Sequence, residues 1–141
     1  MDLIEIRKRL KGMMVVQYCP YTHDDQLDIE GLRLNTEFVV KFALGGNKDV
    51  AIITNGSTAE CYANSFEEQQ EIISTVVEGS KGVPVIAGVS QAGTKETVRL
   101  AKFAERAGQT VSWLCHLTMP LQQYKAFMNT SRKWLTLSAS Q

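Results

Sequence analysis

VAIITNGSTAECYANSFEEQQEIISTVVEG, Val50 to Gly79, passes from an unbroken apolar run through a polar loop into a stretch with helical spacing. A continuous run of β-branched residues is the pattern of a strand covered on both faces, as in a parallel sheet. Ser65 and Glu68 stand at the separation of a capping box, and Ile72, Ile73, Val76 and Val77 then return on one helical face. The unit is strand, loop, helix, and such a unit needs parallel neighbours to bury its strand.

Working outward, the same rhythm recurs. MMVVQY, Met13 to Tyr18, reads as a buried-type strand, and CPYTHDDQLD after it as a loop. Leu32, Leu34, Phe38, Val39 and Phe42 recur at spacings that predict one buried helix face, ended by GGNK. VPVIAGV reads as a third strand, with Pro84 suited to its start. Thr94 is expected to cap a further helix whose Val98, Leu100, Ala101 and Ala104 lean inward until Gly108 stops it. TVSWLC has the propensities of a fourth strand, and residues 1–12 those of a leading helix. Periodicity admits both an open flavodoxin-like sheet and a (β/α)8 barrel.

A length of 141 residues suits one domain, and the 44% hydrophobic and 21% charged fractions are those of a soluble protein. Lys plus Arg equals Asp plus Glu at 15 each, so no basic field points to nucleic acid or anionic lipid. No apolar run approaches a membrane span, and MDLIEIRKRLKG lacks the apolar core of a secretory signal, so the cytoplasm is expected. Cys19, Cys61 and Cys115 are odd in number and far apart, which predicts reduced thiols rather than a disulfide frame or a zinc site.

In parallel α/β folds ligands gather at the carboxyl ends of the strands, here the loops after Tyr18, Thr54 and Val89. The second carries Gly56, Ser57 and Thr58. Glycine lets backbone N–H groups approach an anion, and two hydroxyls can donate to a carboxylate. Taken alone, the three residues equally describe a polar turn that caps the next helix. His23, Asp24 and Asp25 lack a further ligand partner, so no metal is assigned to them. His116 has no nucleophile placed beside it by a motif, Cys61 reads as a small buried apolar group, and Gly88 as a point of close backbone approach.

In order, MMVVQYCPYTHDDQLDIEGLRLNTEFVV, GSTAE and SFEEQQEIISTVVEGSKGVPVIAGVSQAGTKETVRLAKFAERAG resemble the dihydrodipicolinate synthase and N-acetylneuraminate lyase family. The resemblance covers about the first three quarters of the chain. It implies a partial (β/α)8 barrel over residues 13–108, three to four βα units, and a class I aldolase chemistry on pyruvate or another 2-oxo acid with no cofactor. Cys19-Pro20-Tyr21 stands where the family usually has Thr-Pro-Phe, and Ala59 replaces a glycine in its Gly-Ser/Thr-Thr-Gly-Glu motif. By the resemblance, Ser57 and Thr58 hold the substrate carboxylate, and family members are usually homo-oligomers. The family's Schiff-base lysine belongs to a sixth strand. Lys41, Lys81, Lys95, Lys125 and Lys133 fall in helices, loops or the tail, so no catalytic residue is assigned and the chain alone is expected to be inactive. The alternative is a small non-enzymatic α/β module that binds an anion through the same loop.

From Gly108 onward the character changes. All 15 acids lie at or before Glu105, both tryptophans lie in the closing stretch, and no further glycine follows. Back-translation in the neighbouring frame permits Ala-Asp-Gly-Val-Met-Val-Val-Pro-Pro-Tyr-Tyr-Ala, the continuation typical of the family. Some bases are not free: Met119 before Pro120 forces alanine, and Met128 before Asn129 forces glutamate. Residues 109–141 are therefore expected to be an off-frame tail created by loss of one base near the Gly108 codon.

Overall fold

The computed structural model describes residues 3–46 and 49–114. Helix α1 (Leu3–Arg9) leads into strand β1 (Met13–Val16), and three strand–helix repeats follow: α2 (Ile29–Leu44), β2 (Val50–Thr54), α3 (Phe66–Gly79), β3 (Val85–Gly88), α4 (Thr94–Ala107) and β4 (Val111–Trp113). The strands form one sheet in the order β1-β2-β3-β4, and every pairing is parallel. Each crossover is a helix, the connection that parallel strands require.

The helices cover one face of this sheet. Ile52 and Val85 pack under Leu32, Val40, Ile72 and Val76, which joins β2 and β3 to α2 and α3. Ala87 packs with Ile73, Leu100 and Ala104 between α3 and α4. Burying an aliphatic side chain of this size stabilises by about 1.5–3 kcal/mol, so these layers dominate the stability. On the opposite face Ala51, Ile53 and Ile86 form a smaller cluster against Leu10 and Val111.

Local signals set the helix ends. Ser65 accepts from the Glu68 amide at 3.2 Å, and the Glu68 carboxylate accepts from the Ser65 amide at 2.7 Å, a closed capping box. Gly108 ends α4 at φ +98, a left-handed conformation that costs a glycine nothing.

Three expectations are corrected. The buried face of α2 is Leu32, Thr36, Val39, Val40 and Ala43, whereas Leu34 and Phe38 are 59% and 74% exposed and Phe42 is exposed too. The apolar stripe is wider than the single sheet face it meets, so only one flank is covered. Strand β1 is not buried: it is an edge strand with one neighbour, and Met13, Met14 and Val16 are exposed. Gly93, not Thr94, is the N-cap of α4, and Thr94 is its first helical residue. Cys115, His116, Lys125, Lys133 and the rest of the 115–141 stretch lie outside the described residues.

Candidate functional site

The carboxyl ends of β1, β2 and β3 each pass into a loop, and the three loops are bonded into one platform. After β1, the segment Tyr21 to Leu27 folds back on itself through an antiparallel bridge between those two residues, with Thr22 N–H donating to the Gln26 carbonyl at 2.8 Å. His23 and Asp24 pair at 3.1 Å at its tip, both well exposed, and Asp25 adopts φ +58. An ion pair so placed is solvated and contributes little. Among the described residues, no group of three His, Cys, Asp or Glu side chains gathers to hold a metal.

After β2, Asn55 turns the chain at φ +52, and Ser57–Ala59 form a single 3-10 turn with Gly56 as its N-cap. The turn closes through Ala59 N–H to the Gly56 carbonyl at 3.1 Å and Glu60 N–H to the Ser57 carbonyl at 3.1 Å. The first amides of such a turn have no partner within it, so they are left to face a ligand or solvent. The Thr58 hydroxyl donates to the Gln17 carbonyl at a long 3.5 Å, and the Ser57 hydroxyl makes no hydrogen bond among the described residues. Gly56, Ser57 and Thr58 thus sit together at the end of β2, with Ser57 half-buried and Thr58 exposed. The Trp113 ring lies against this turn, its Cζ3 atom 3.6 Å from the point a Gly56 Cβ would occupy.

The residues that hold the turn were not singled out by the sequence. Asn55 Nδ2 donates to Gln69 Oε1 at 3.1 Å and to the Gly88 carbonyl at 2.8 Å. Gln91 Nε2 donates to the same Gln69 oxygen at 2.7 Å, and Gln69 Nε2 donates to the Asn64 carbonyl at 3.0 Å. Asn64 Nδ2 then donates to the Ala59 carbonyl at 3.1 Å, and Asn64 Oδ1 accepts from the Tyr21 hydroxyl at 2.7 Å. Asn55 and Gln69 are buried, where such bonds are costly to break. A polar residue in the first position after an apolar strand was the available signal, although its partners lie 14 and 33 residues away.

Cys19 and Tyr21 stand behind the turn. Burial pushes the Cys19 thiol up to about 11, against a smaller opposing effect of its hydrogen bond with Tyr21 and further upward pushes from Glu60 and Glu68. Burial likewise raises the Tyr21 hydroxyl to about 12, partly offset by its bond to Asn64. Both groups are therefore protonated at neutral pH and act here as donors, not as nucleophile or base. Cys61 is buried, in keeping with an apolar role. Lys41 pairs with Glu37 at 3.4 Å on the exposed side of α2, and Lys81 and Lys95 lie in the loop after α3 and at the start of α4. None of the four described strands contains a lysine.

Residues 9–115 match the profile of the Dihydrodipicolinate synthetase family. The chain is similar to 4-hydroxy-tetrahydrodipicolinate synthase of Methanosarcina barkeri, 40% identical over 98 residues, which cover 70% of this chain and 32% of that protein. N-acetylneuraminate lyase of Salmonella paratyphi B is 35% identical over 102 residues, 72% of this chain and 33% of the lyase. The chain thus spans about a third of the length of these curated relatives. The fold superposes with a TM-score of 0.72 and 25% identity on the dihydrodipicolinate synthase of Acinetobacter baumannii, solved with pyruvate, over 85% of this chain and 42% of that one. The four parallel strands and their helices are accordingly part of a (β/α)8 barrel.

Proposed function

Because the chain belongs to the Dihydrodipicolinate synthetase family, whose members are Schiff-base aldolases and lyases acting on pyruvate, we propose that Gly56, Ser57 and Thr58 form the carboxylate-holding part of a 2-oxo-acid site. The observation that carries this reading is the Gly56–Thr58 turn itself. Its free Ser57 hydroxyl and leading amides stand at the carboxyl end of β2, the end at which (β/α)8 barrels bind their substrates. Two hydroxyls and backbone N–H groups supply donors for both oxygens of a carboxylate, and the platform behind them holds the donors still before the ligand arrives. The reaction needs neither metal nor organic cofactor: an amine adds to the 2-oxo carbon, water leaves, and the neighbouring carbon becomes acidic enough to form or break a carbon–carbon bond. The lysine for that step is not on any of the four described strands. We therefore assign this chain the binding of the 2-oxo acid, in the cytoplasm, and no turnover of its own.

The altered composition after Gly108 has its own reading: residues 109–141 are translated from a shifted frame, and the family continuation lies in the neighbouring one. The forced alanine at Met119–Pro120 and glutamate at Met128–Asn129 support it. The family match running on to residue 115, a little beyond Gly108, weighs against it. The nucleotide sequence across the Gly108 codon decides between the two.

Titration of the 141-residue chain with pyruvate and with phosphate, each followed by borohydride reduction and mass spectrometry, tests the function. Saturable pyruvate binding that Ser57→Ala and Thr58→Ala abolish, with no reduced adduct, is the expected result. A borohydride-trapped pyruvate adduct would overturn the assignment of no chemistry. Equal binding of phosphate would replace the 2-oxo-acid site with a general anion module.

A further inference from the structure

The sheet has two open edges. Met13 N–H and Gln17 N–H of the β1 segment donate to the Asp49 and Ile53 carbonyls at 2.8 and 2.9 Å, so the alternate residues Met14 and Val16 turn their backbone groups to the other, unpaired side. Strand β4 pairs only with β3. The face opposite the helices is apolar and, at the two edges, open. Met14, Val16 and Trp113 lie on it in register with Ala51, Ile53 and Gly88, and they remain 48%, 42% and 38% exposed.

We propose that two copies of this chain close on each other about a two-fold axis parallel to the strands, β4 of each pairing with β1 of the other, to form one eight-stranded barrel. Four features point to a second copy. A two-fold along the strand direction keeps every strand parallel, and all three existing pairings are parallel. The same rotation makes the β4–β1 contact twice, so one interface removes both edges of both copies. Four strands taken twice is the number that closes a barrel whose interior is filled by side chains. The filling is present: Met14, Val16, Ile53, Ile86, Val111 and Trp113 are large and apolar, and the helices already lie on the outside. Stacking through the exposed α2 flank at Leu34 and Phe38 would leave both edges open and add copies without limit. In the closed pair the two Gly56–Thr58 turns share one mouth. This assembly does not depend on the ligand assigned above, and either can fail without the other.

Sedimentation equilibrium and light scattering of the whole chain at micromolar concentration test it. The expected mass is twice the 15.7 kDa of one chain and does not rise further with concentration. Met14→Lys with Val16→Lys places charges where a single copy exposes them and a closed barrel buries them, so that double variant is expected to run as a monomer with unchanged helical circular dichroism. If it fails to fold, hydrogen exchange on the unaltered chain decides: the Met14 and Val16 amides gain protection as concentration rises through the dimerisation range. A monomer at all concentrations, an open series of oligomers, or a dimer that Leu34→Lys with Phe38→Lys dissolves and the β1 variant does not would each overturn the proposal.

Discussion

Asn55 and Gly88 lock the ends of β2 and β3 together: the Asn55 side chain donates to the Gly88 carbonyl at 2.8 Å, and a Cβ on Gly88 would overlap the Asn55 carbonyl oxygen. Both contacts are buried, so neither strand end can move without losing the other. Gly88→Ala is expected to destabilise the fold by about 3 kcal/mol, a severe loss for one methyl group, because backbone and not a flexible side chain must give way. Urea denaturation of the variant measures it, and a loss below about 0.5 kcal/mol, the size of an ordinary surface change, would show that the strand ends are loose.

Trp113 reports on the turn it covers. Pyruvate bound at Gly56–Thr58 would sit beside the indole, so its emission should change saturably on titration, measured in a Trp134→Phe background to leave one tryptophan. Ser57→Ala should remove that response while leaving the emission of the unliganded protein unaltered. A response that survives Ser57→Ala places the ligand elsewhere.

The capping box at Ser65 and Glu68 is worth about 1 kcal/mol, the usual cost of replacing an N-cap serine by alanine. The backbone amide and hydroxyl of Ser65 hold the Glu68 carboxyl below its ordinary 4.5. A lowered carboxyl contributes stability that is present above its unfolded value and lost as pH falls through its folded one. Ser65→Ala should therefore cost most at neutral pH, and the gap to the parent protein should narrow below about pH 4.5 in chemical denaturation curves.

The Cys19 thiol, raised from 9.0 to about 11 chiefly by burial, works in the opposite direction. Its contribution is fully present below pH 9.0 and is lost as pH rises towards about 11, because the unfolded chain ionises first. Stability should fall across that window, and Cys19→Ser should flatten part of the fall. At pH 8 Cys19 should also alkylate far more slowly in the native protein than in urea, and equal rates in both would contradict its burial.

Strand β2, the capping box, the Gly108 stop and the fourth strand were legible because each depends on neighbours in sequence: an apolar run, a three-residue spacing, a positive φ, a propensity. The flank of α2 was not, since periodicity gives the width of an apolar stripe and not how much of it meets a partner. Thr36 shows the same limit. It is fully buried because its hydroxyl donates to the Leu32 carbonyl at 2.8 Å and accepts from Gln17 Nε2 at 3.1 Å, and only the first of those partners is local. Ser57 and Thr58 were readable from their loop, but the carboxamides of Asn55, Gln69 and Gln91 that hold the loop converge from three separate segments.

The sequence Asn55–Gly56 is also the dipeptide most prone to deamidation, since an unhindered glycine amide can attack the asparagine side chain and close a succinimide ring. Here the Asn55 carboxamide is held away from that attack by Gln69 and Gly88. Chemical ageing at this position is therefore suppressed in folded molecules and proceeds in unfolded ones, so the fraction of aspartate and isoaspartate at position 55 in a stored sample records how long its molecules have spent unfolded.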